Sequence, residues 1–326
     1  MSANQELFEL NFYKWEKEFK DKPYLRQPIG EAWEEYTWGQ VGDMARRLAS
    51  GLKSLNLREG AHIGIYSKNC REWIISDLAI VMAGYVSVPF FPSLNGKELS
   101  YIMDYGDVDA LFIGKIETWD EIKNDLSDEM PIIRFPKYDG CSNVTKGYEW
   151  HEFINTHDPI QNPHTPKLSD LWTIIFTSGT TGNPKGVMLT YQAIDGIKVV
   201  LDDPNNPLGI KHTGNNDFIS YLPLNHIFER VVIEWCSFRY GGTISFVESI
   251  EKFGQNLKDV QPHVFAAAPR VWTKLQMGIL SKFPQKRLDT LLKIPLLSSI
   301  LKKLIRKGLG FSKVRVTVSG SAPMPV

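Results

Sequence analysis

The 326-residue sequence predicts an α/β fold of mostly parallel sheet with helices on its faces. Two observations carry that prediction. From Ala61 onward, short apolar β-branched runs alternate with longer segments of helical pattern, and after a proline-rich stretch at 156–166 the alternation restarts. A length of roughly two times 150 residues favours two lobes, and the proline-rich stretch, read as a linker, divides them into 1–165 and 166–326.

In the first lobe, 62–66 reads as a buried strand, 71–83 as a helix, 86–90 as a strand and 96–105 as a helix. A strand at 109–113, a helix at 118–126 and a strand at 132–135 follow. The aromatic cluster Phe8, Phe12, Tyr13, Trp15 and Phe19 reads as an N-terminal helix docking on the core. In the second lobe, 171–176 and 186–189 read as strands, 191–201 as a helix, and 202–216, rich in Pro, Gly and Asn, as a surface loop. Strands are expected at 218–222, 243–246, 263–266 and 314–318. The last of these runs straight into a glycine turn with no helix behind it, so the sheet reads as cut, with an exposed edge strand.

Apolar residues at 43% and charged residues at 23% exclude a disordered chain. Thirty-seven Lys and Arg balance thirty-seven Asp and Glu, so no global field attracts nucleic acid and none is expected as a partner. Cys70, Cys141 and Cys236 are widely spaced and odd in number, which argues against a disulfide framework or a zinc site and suits a reducing compartment. Residues 1–24 lack the apolar centre of a signal peptide, and no apolar run approaches the ~20 residues of a membrane span. The expected location is cytoplasmic, with peripheral membrane contact left open. That contact would run through 296–308, where Leu297, Ile300, Leu301, Leu304 and Ile305 fall at helical spacing, with Lys302, Lys303, Arg306 and Lys307 on the opposite side. An ordinary surface helix packed by its apolar face has the same pattern.

The most informative stretch is 173–189. An apolar strand ends in Thr177, Ser178, Gly179, Thr180, Thr181 and Gly182, with Lys185 three residues on. Glycines permit a tight turn whose N–H groups converge on an anion, hydroxyls add donors, and an ammonium adds charge. These are the parts of a phosphate cradle. The order differs from a Walker A loop, because Pro184 precedes Lys185 and Gly186 follows it.

Residues 177–186, Thr-Ser-Gly-Thr-Thr-Gly-Asn-Pro-Lys-Gly, resemble the signature loop of the adenylate-forming enzymes. Residues 221–230 (Tyr-Leu-Pro-Leu-Asn-His-Ile-Phe-Glu-Arg) are similar to a segment of their long-chain fatty acyl-CoA synthetase branch, as are 265–272. Residues 318–323 (Val-Ser-Gly-Ser-Ala-Pro) resemble the next motif, and 79–92 an early one. The resemblance implies stacked, mostly parallel sheets with flanking helices, as in the large N-terminal domain of these enzymes. It also implies a two-step reaction with ATP, Mg²⁺, a fatty acid and coenzyme A. The carboxylate attacks the α-phosphate, expels pyrophosphate and forms an acyl-adenylate; a thiol then releases AMP. Homodimers occur among such enzymes.

By the same resemblance, Thr177, Ser178, Gly179, Thr180, Thr181, Gly182 and Lys185 hold the phosphates, and Thr177 is also an outer contact for Mg²⁺. His226 approaches the reacting carboxylate, while Gly320, Ser321, Ala322 and Pro323 line the nucleotide and acyl pocket. Glu229 and Arg230, adjacent opposite charges, read equally as a structural ion pair or as substrate contacts. The family's later motifs, a magnesium-binding Glu, a ribose-binding Asp and the small domain with its essential lysine, do not occur in residues 1–326. The expectation is therefore the N-terminal portion of a long-chain fatty acid–CoA ligase that does not turn over alone. The alternatives are a fatty acyl-AMP ligase, another acid-adenylating enzyme, or a non-catalytic nucleotide- or lipid-binding fragment.

Overall fold

The computed structural model describes residues 8–177, 184–201, 210 and 213–323. Its strands, in chain order, are β1 (Pro23–Ile29), β2 (Ala32–Thr37), β3 (His62–Ser67), β4 (Val86–Phe90), β5 (Val108–Gly114), β6 (Ile132–Arg134) and β7 (Tyr148–Glu149). They continue with β8 (Leu171–Thr177), β9 (Lys185–Thr190), β10 (Asp217–Ser220), β11 (Thr243–Phe246), β12 (Val264–Ala267) and β13 (Val316–Ser319). One sheet runs β7-β6-β5-β3-β4-β8-β9 and the other β13-β12-β10-β11-β1-β2. Pairing is parallel except for the terminal hairpins β1/β2 and β8/β9.

Two chain crossings make the sheets interdependent. Strands β8 and β9 follow the proline-rich stretch yet join the sheet begun by β3, while β1 and β2 join the sheet finished by β13. A boundary at 165/166 therefore falls inside the seven-stranded sheet. Every residue of the helix Arg71–Met82 is buried, and one apolar cluster joins it to Ile63 and Phe112 of one sheet and to Phe218, Ile244 and Val264 of the other. This helix lies between the sheets, so its lack of a polar face follows from having no solvent side.

The strands and helices read from the alternation are present with small shifts at their ends, and the helix read at 118–126 is a single turn, Trp119–Ile122. The sequence reading did not include the hairpin β1/β2 or the helix Trp38–Ser54 behind it. Thr37 begins that helix with a reciprocal cap: its hydroxyl accepts from Gln40 N–H at 3.2 Å, and Gln40 Oε1 accepts from Thr37 N–H at 2.8 Å. The N-terminal helix Phe8–Glu18 docks as expected, with Phe12 and Trp15 buried and Trp15 Nε1 donating to the Phe238 carbonyl at 2.9 Å.

The proposed surface loop at 202–216 lies largely outside the described residues, but Ile210 and Asn216 are buried, and Asn216 Nδ2 donates to the carbonyls of Tyr240 and Gly241. The basic helix at the C-terminal side spans Pro295–Leu309. Its apolar positions split rather than forming one packed face: Leu301 is buried, whereas Leu297, Ile300 and Leu304 are 41%, 50% and 58% exposed. β13 stands at the edge of its sheet.

Candidate functional site

In parallel sheets, ligands gather beyond the carboxyl ends of the strands. Here the loops after β8, β10, β12 and β13 are the motif segments of the sequence. β8 and β9 form the hairpin that frames the hydroxyl-rich turn, with Thr177 opposite Lys185. Both residues are exposed, so the ammonium and the hydroxyl face solvent at the base of that turn. Ser178, Gly179, Thr180, Thr181 and Gly182 lie outside the described residues.

β10 ends in a Pro223-centred turn that delivers His226. The histidine N–H donates to the Pro223 carbonyl at 2.9 Å, and its Nδ1 accepts from Phe228 N–H at 3.1 Å, capping the short helix Ile227–Glu229. An Nδ1 used as acceptor carries no proton, so in the neutral ring the proton sits on Nε2, which becomes the donor. Beside it, Asn225 is 2% exposed and its Nδ2 has no hydrogen-bond partner among the described residues.

The turn after β13 meets this loop. A Cβ at Gly320 would stand 2.7 Å from the Phe228 ring, so only glycine permits the approach without displacing the ring. Ser321 takes φ 68°, in the left-handed region that favours glycine, and Ser321, Ala322 and Pro323 are exposed. Gly320 therefore packs against Phe228, two residues beyond His226 in the same loop.

Glu229 and Arg230 do not pair with each other. Glu229 is fully buried, and its Oε1 accepts from the Ser220 hydroxyl at 2.9 Å and from Tyr221 N–H at 3.0 Å, closing the end of β10. Burial pushes its carboxyl up to about 8 despite those bonds. Arg230 turns the other way, into the space between the sheets. Its guanidinium donates to Asp77 at 2.5 Å, Glu234 at 3.0 Å, Thr173 Oγ1 at 2.9 Å and Ser87 Oγ at 3.3 Å, and it stacks 4.0 Å from the Trp172 ring centre. Burial works against its charge, but Asp77 and Glu234 together hold it above the ordinary guanidinium value. The mutual ion pair is thus absent among the described residues, and each side chain has its own buried partners.

Three positioning residues were missed in the sequence. Asn69, just beyond β3, donates to Ser220 Oγ at 2.8 Å and the Leu222 carbonyl at 2.6 Å, and accepts from Leu224 N–H at 2.9 Å, fastening the histidine loop to the other sheet. Lys115, beyond β5, donates to the Asn69 carbonyl at 2.9 Å and the Val247 carbonyl at 3.4 Å. Burial holds that ammonium below its ordinary value. Asp77 is the third. Their one sequence signal is polarity at the carboxyl end of an apolar run, or inside an apolar helix.

Residues 12–326 match the family model described as AMP-binding enzyme, and the chain belongs to that family. It is 28% identical over 324 residues to long chain acyl-CoA synthetase 4 of Arabidopsis thaliana, covering 88% of this chain and 48% of that protein. It is also 28% identical over 271 residues to long-chain-fatty-acid–CoA ligase ACSBG2 of Rattus norvegicus, covering 78% and 40%. The chain thus spans about half the length of the curated relatives it matches. Among solved structures it resembles ATP-bound MatB of Rhodopseudomonas palustris, with TM-score 0.71, 20% identity, and coverage of 99% of this chain and 56% of that one. The AMP-bound A domain of a carboxylic acid reductase from Segniliparus rugosus gives 0.74, 18%, 99% and 57%. Among the described residues, no helix is long and apolar enough to cross a membrane.

Proposed function

We propose that this chain carries the nucleotide- and acyl-binding part of an AMP-forming long-chain fatty acid–CoA ligase. The observation that carries the reading is the Phe228 contact, which joins the histidine loop to the Gly320–Pro323 turn at the carboxyl end of a parallel sheet. On this reading the wall made by Gly320, Ser321, Ala322 and Pro323 admits the flat adenine and the activated acyl group. His226 offers its Nε2 proton to an oxygen of the reacting carboxylate, stabilising charge as the carboxylate closes on the α-phosphate. The turn from Thr177 through Ser178, Gly179, Thr180, Thr181 and Gly182 takes the β- and γ-phosphates, and Lys185 offsets their charge as pyrophosphate leaves. Mg²⁺ binds chiefly through phosphate oxygens and one or two carboxylates. Thr177 suits an outer hydroxyl contact to that ion. Coenzyme A supplies the thiol that displaces AMP.

The fatty acid assignment rests on relatives near 28% identity and on the similarity of residues 221–230 to the long-chain branch. ATP titration of the folded chain tests the cradle: Lys185→Ala weakens binding roughly fivefold, in line with an exposed charge contact of about 1 kcal/mol. Unchanged affinity would refute the cradle. The reaction is tested by mass spectrometry after incubation with Mg·ATP, palmitate and coenzyme A, on this chain and on one extended through its downstream sequence. AMP with palmitoyl-CoA from the extended chain supports the ligase; palmitoyl-AMP without palmitoyl-CoA points instead to an acyl-AMP ligase.

A further inference from the structure

The chain's neutrality conceals a strong polarity. Residues 269–313 hold eleven Lys and Arg against a single acid, Asp289, leaving the rest of the chain with 26 basic and 36 acidic residues. The same segment is where burial fails. From Val271 to Leu297 no residue is buried, and the helix Gln285–Leu292 has no buried residue at all. On the following helix, Pro295–Leu309, Leu296 is 74% exposed, Leu297 41%, Ile300 50% and Leu304 58%. At about 100° per residue these four occupy one stripe of roughly a quarter turn. Lys303 falls about 20° outside the Leu296 border of that stripe and Lys307 about 20° inside it, and no acidic residue occurs on the helix.

The stripe is held outward by firm attachments on the other side. Leu301 and Ser298 are buried, Gly310 closes the helix in the left-handed conformation, and Arg306 donates to the carbonyls of Phe311 at 3.2 Å and Val314 at 2.6 Å. The aliphatic positions therefore remain exposed in a helix that is itself well mounted. A contiguous exposed apolar stripe with lysines at one edge needs an occupant that is apolar inside and negative outside.

We propose that this helical arm docks on an anionic lipid bilayer, with Leu296, Leu297, Ile300 and Leu304 entering the headgroup–acyl boundary and Lys303 and Lys307 meeting lipid phosphates and carboxylates. Charge complementarity selects this occupant. A two-fold contact between copies would bring an equally basic arm against the first, whereas an anionic leaflet attracts every basic residue of the arm at once. The inference is independent of whether the chain adenylates an acid, although a bilayer is also where a long-chain acid resides.

The test is flotation of the 326-residue chain with vesicles of phosphatidylcholine alone or with about 30% phosphatidylserine, at low and high salt. Binding is expected to the phosphatidylserine vesicles, and to weaken as salt rises. Leu296→Asp with Leu304→Asp, and separately Lys303→Glu with Lys307→Glu, should each lower the bound fraction at least tenfold at limiting lipid. Both pairs are exposed, so circular dichroism and the urea midpoint should not move. The proposal is overturned if the chain ignores anionic vesicles, or if either double variant binds as tightly as the parent. It is also overturned if sedimentation shows dimers that only the aspartate variant dissolves. A chain extended through its downstream sequence that no longer floats, while the 326-residue chain does, would show that polypeptide and not lipid covers the stripe.

Discussion

Glu229 makes the stability of this chain depend on pH in an unusual direction. Its carboxyl is fully buried and raised to about 8, against 4.5 for an ordinary glutamate. The folded protein therefore holds a proton that the unfolded chain releases above about pH 4.5, and stability falls as pH climbs from there through about 8. Below the unfolded value the group contributes no slope, and above the folded value the loss is complete. A gap of this size corresponds to roughly 3–5 kcal/mol at the alkaline end. Glu229→Gln keeps an oxygen to accept from Ser220 and Tyr221 and removes the titration. The assay is urea unfolding of both proteins from pH 5 to 9, followed through the buried tryptophans Trp73, Trp172 and Trp235. The two should be close at pH 5, and the glutamine variant should pull ahead by about 1 M in midpoint at pH 9, for an m-value near 3 kcal/mol/M. Parallel curves across the range would mean that Glu229 is ionised in the folded protein, and the reasoning would fail.

Other perturbations act on the same region. Arg230→Met strips the guanidinium from Asp77 and Glu234 and should cost about 3–5 kcal/mol in urea unfolding, whereas adding Asp77→Asn and Glu234→Gln should restore most of it; a single-variant loss below about 1 kcal/mol contradicts the network. Asn69→Ala removes three hydrogen bonds between the sheets and should lower stability by about 2–3 kcal/mol and loosen ATP binding together, as read by unfolding and titration. Gly320→Ala forces the Phe228 ring aside and should cost about 1–2 kcal/mol. It should also weaken ATP binding, and a variant that binds ATP unchanged would separate that turn from the nucleotide.

The alternating architecture was legible because buried parallel strands are short continuous apolar runs, as at Ala110–Ile113 of β5, where every residue is buried. The hairpin β1/β2 was not, because β1 contains two prolines and β2 carries Glu34 and Glu35 on an outer strand. Glu34 and Glu35 suit the edge strand β2, while β1 carries its prolines within the sheet, between β11 and β2, and both features erase the apolar signal of a buried strand. Of the site, the loops were legible as motifs, since glycine, hydroxyl and histidine at strand ends advertise backbone geometry and chemistry. Asn69 was not, since its partners lie about 150 residues away and nothing local sets it apart. Glu229 and Arg230 misled for the opposite reason. Adjacency suggested a mutual pair, but successive residues in a helical turn point about 100° apart, and each found its partners on a different sheet.

That divergence explains how the two halves of the candidate site are held in register. Arg230 lies four residues after His226, and its guanidinium bonds Thr173, four residues before Thr177 on β8. The histidine loop belongs to one sheet and the hydroxyl hairpin to the other, so neither sheet alone sets the distance between them. Arg230 does, with Asp77 of the intervening helix fixing its position and Asn69 repeating the connection at the strand ends. The hydroxyls of Thr173 and Ser87 satisfy the Nη1 donors that the two carboxylates leave over, and so tie the guanidinium to β8 and β4. Loss of Arg230 should consequently shift the hydroxyl hairpin and the histidine relative to each other even where the triple variant restores stability. ATP affinity in that refolded triple variant should therefore stay below the parent's.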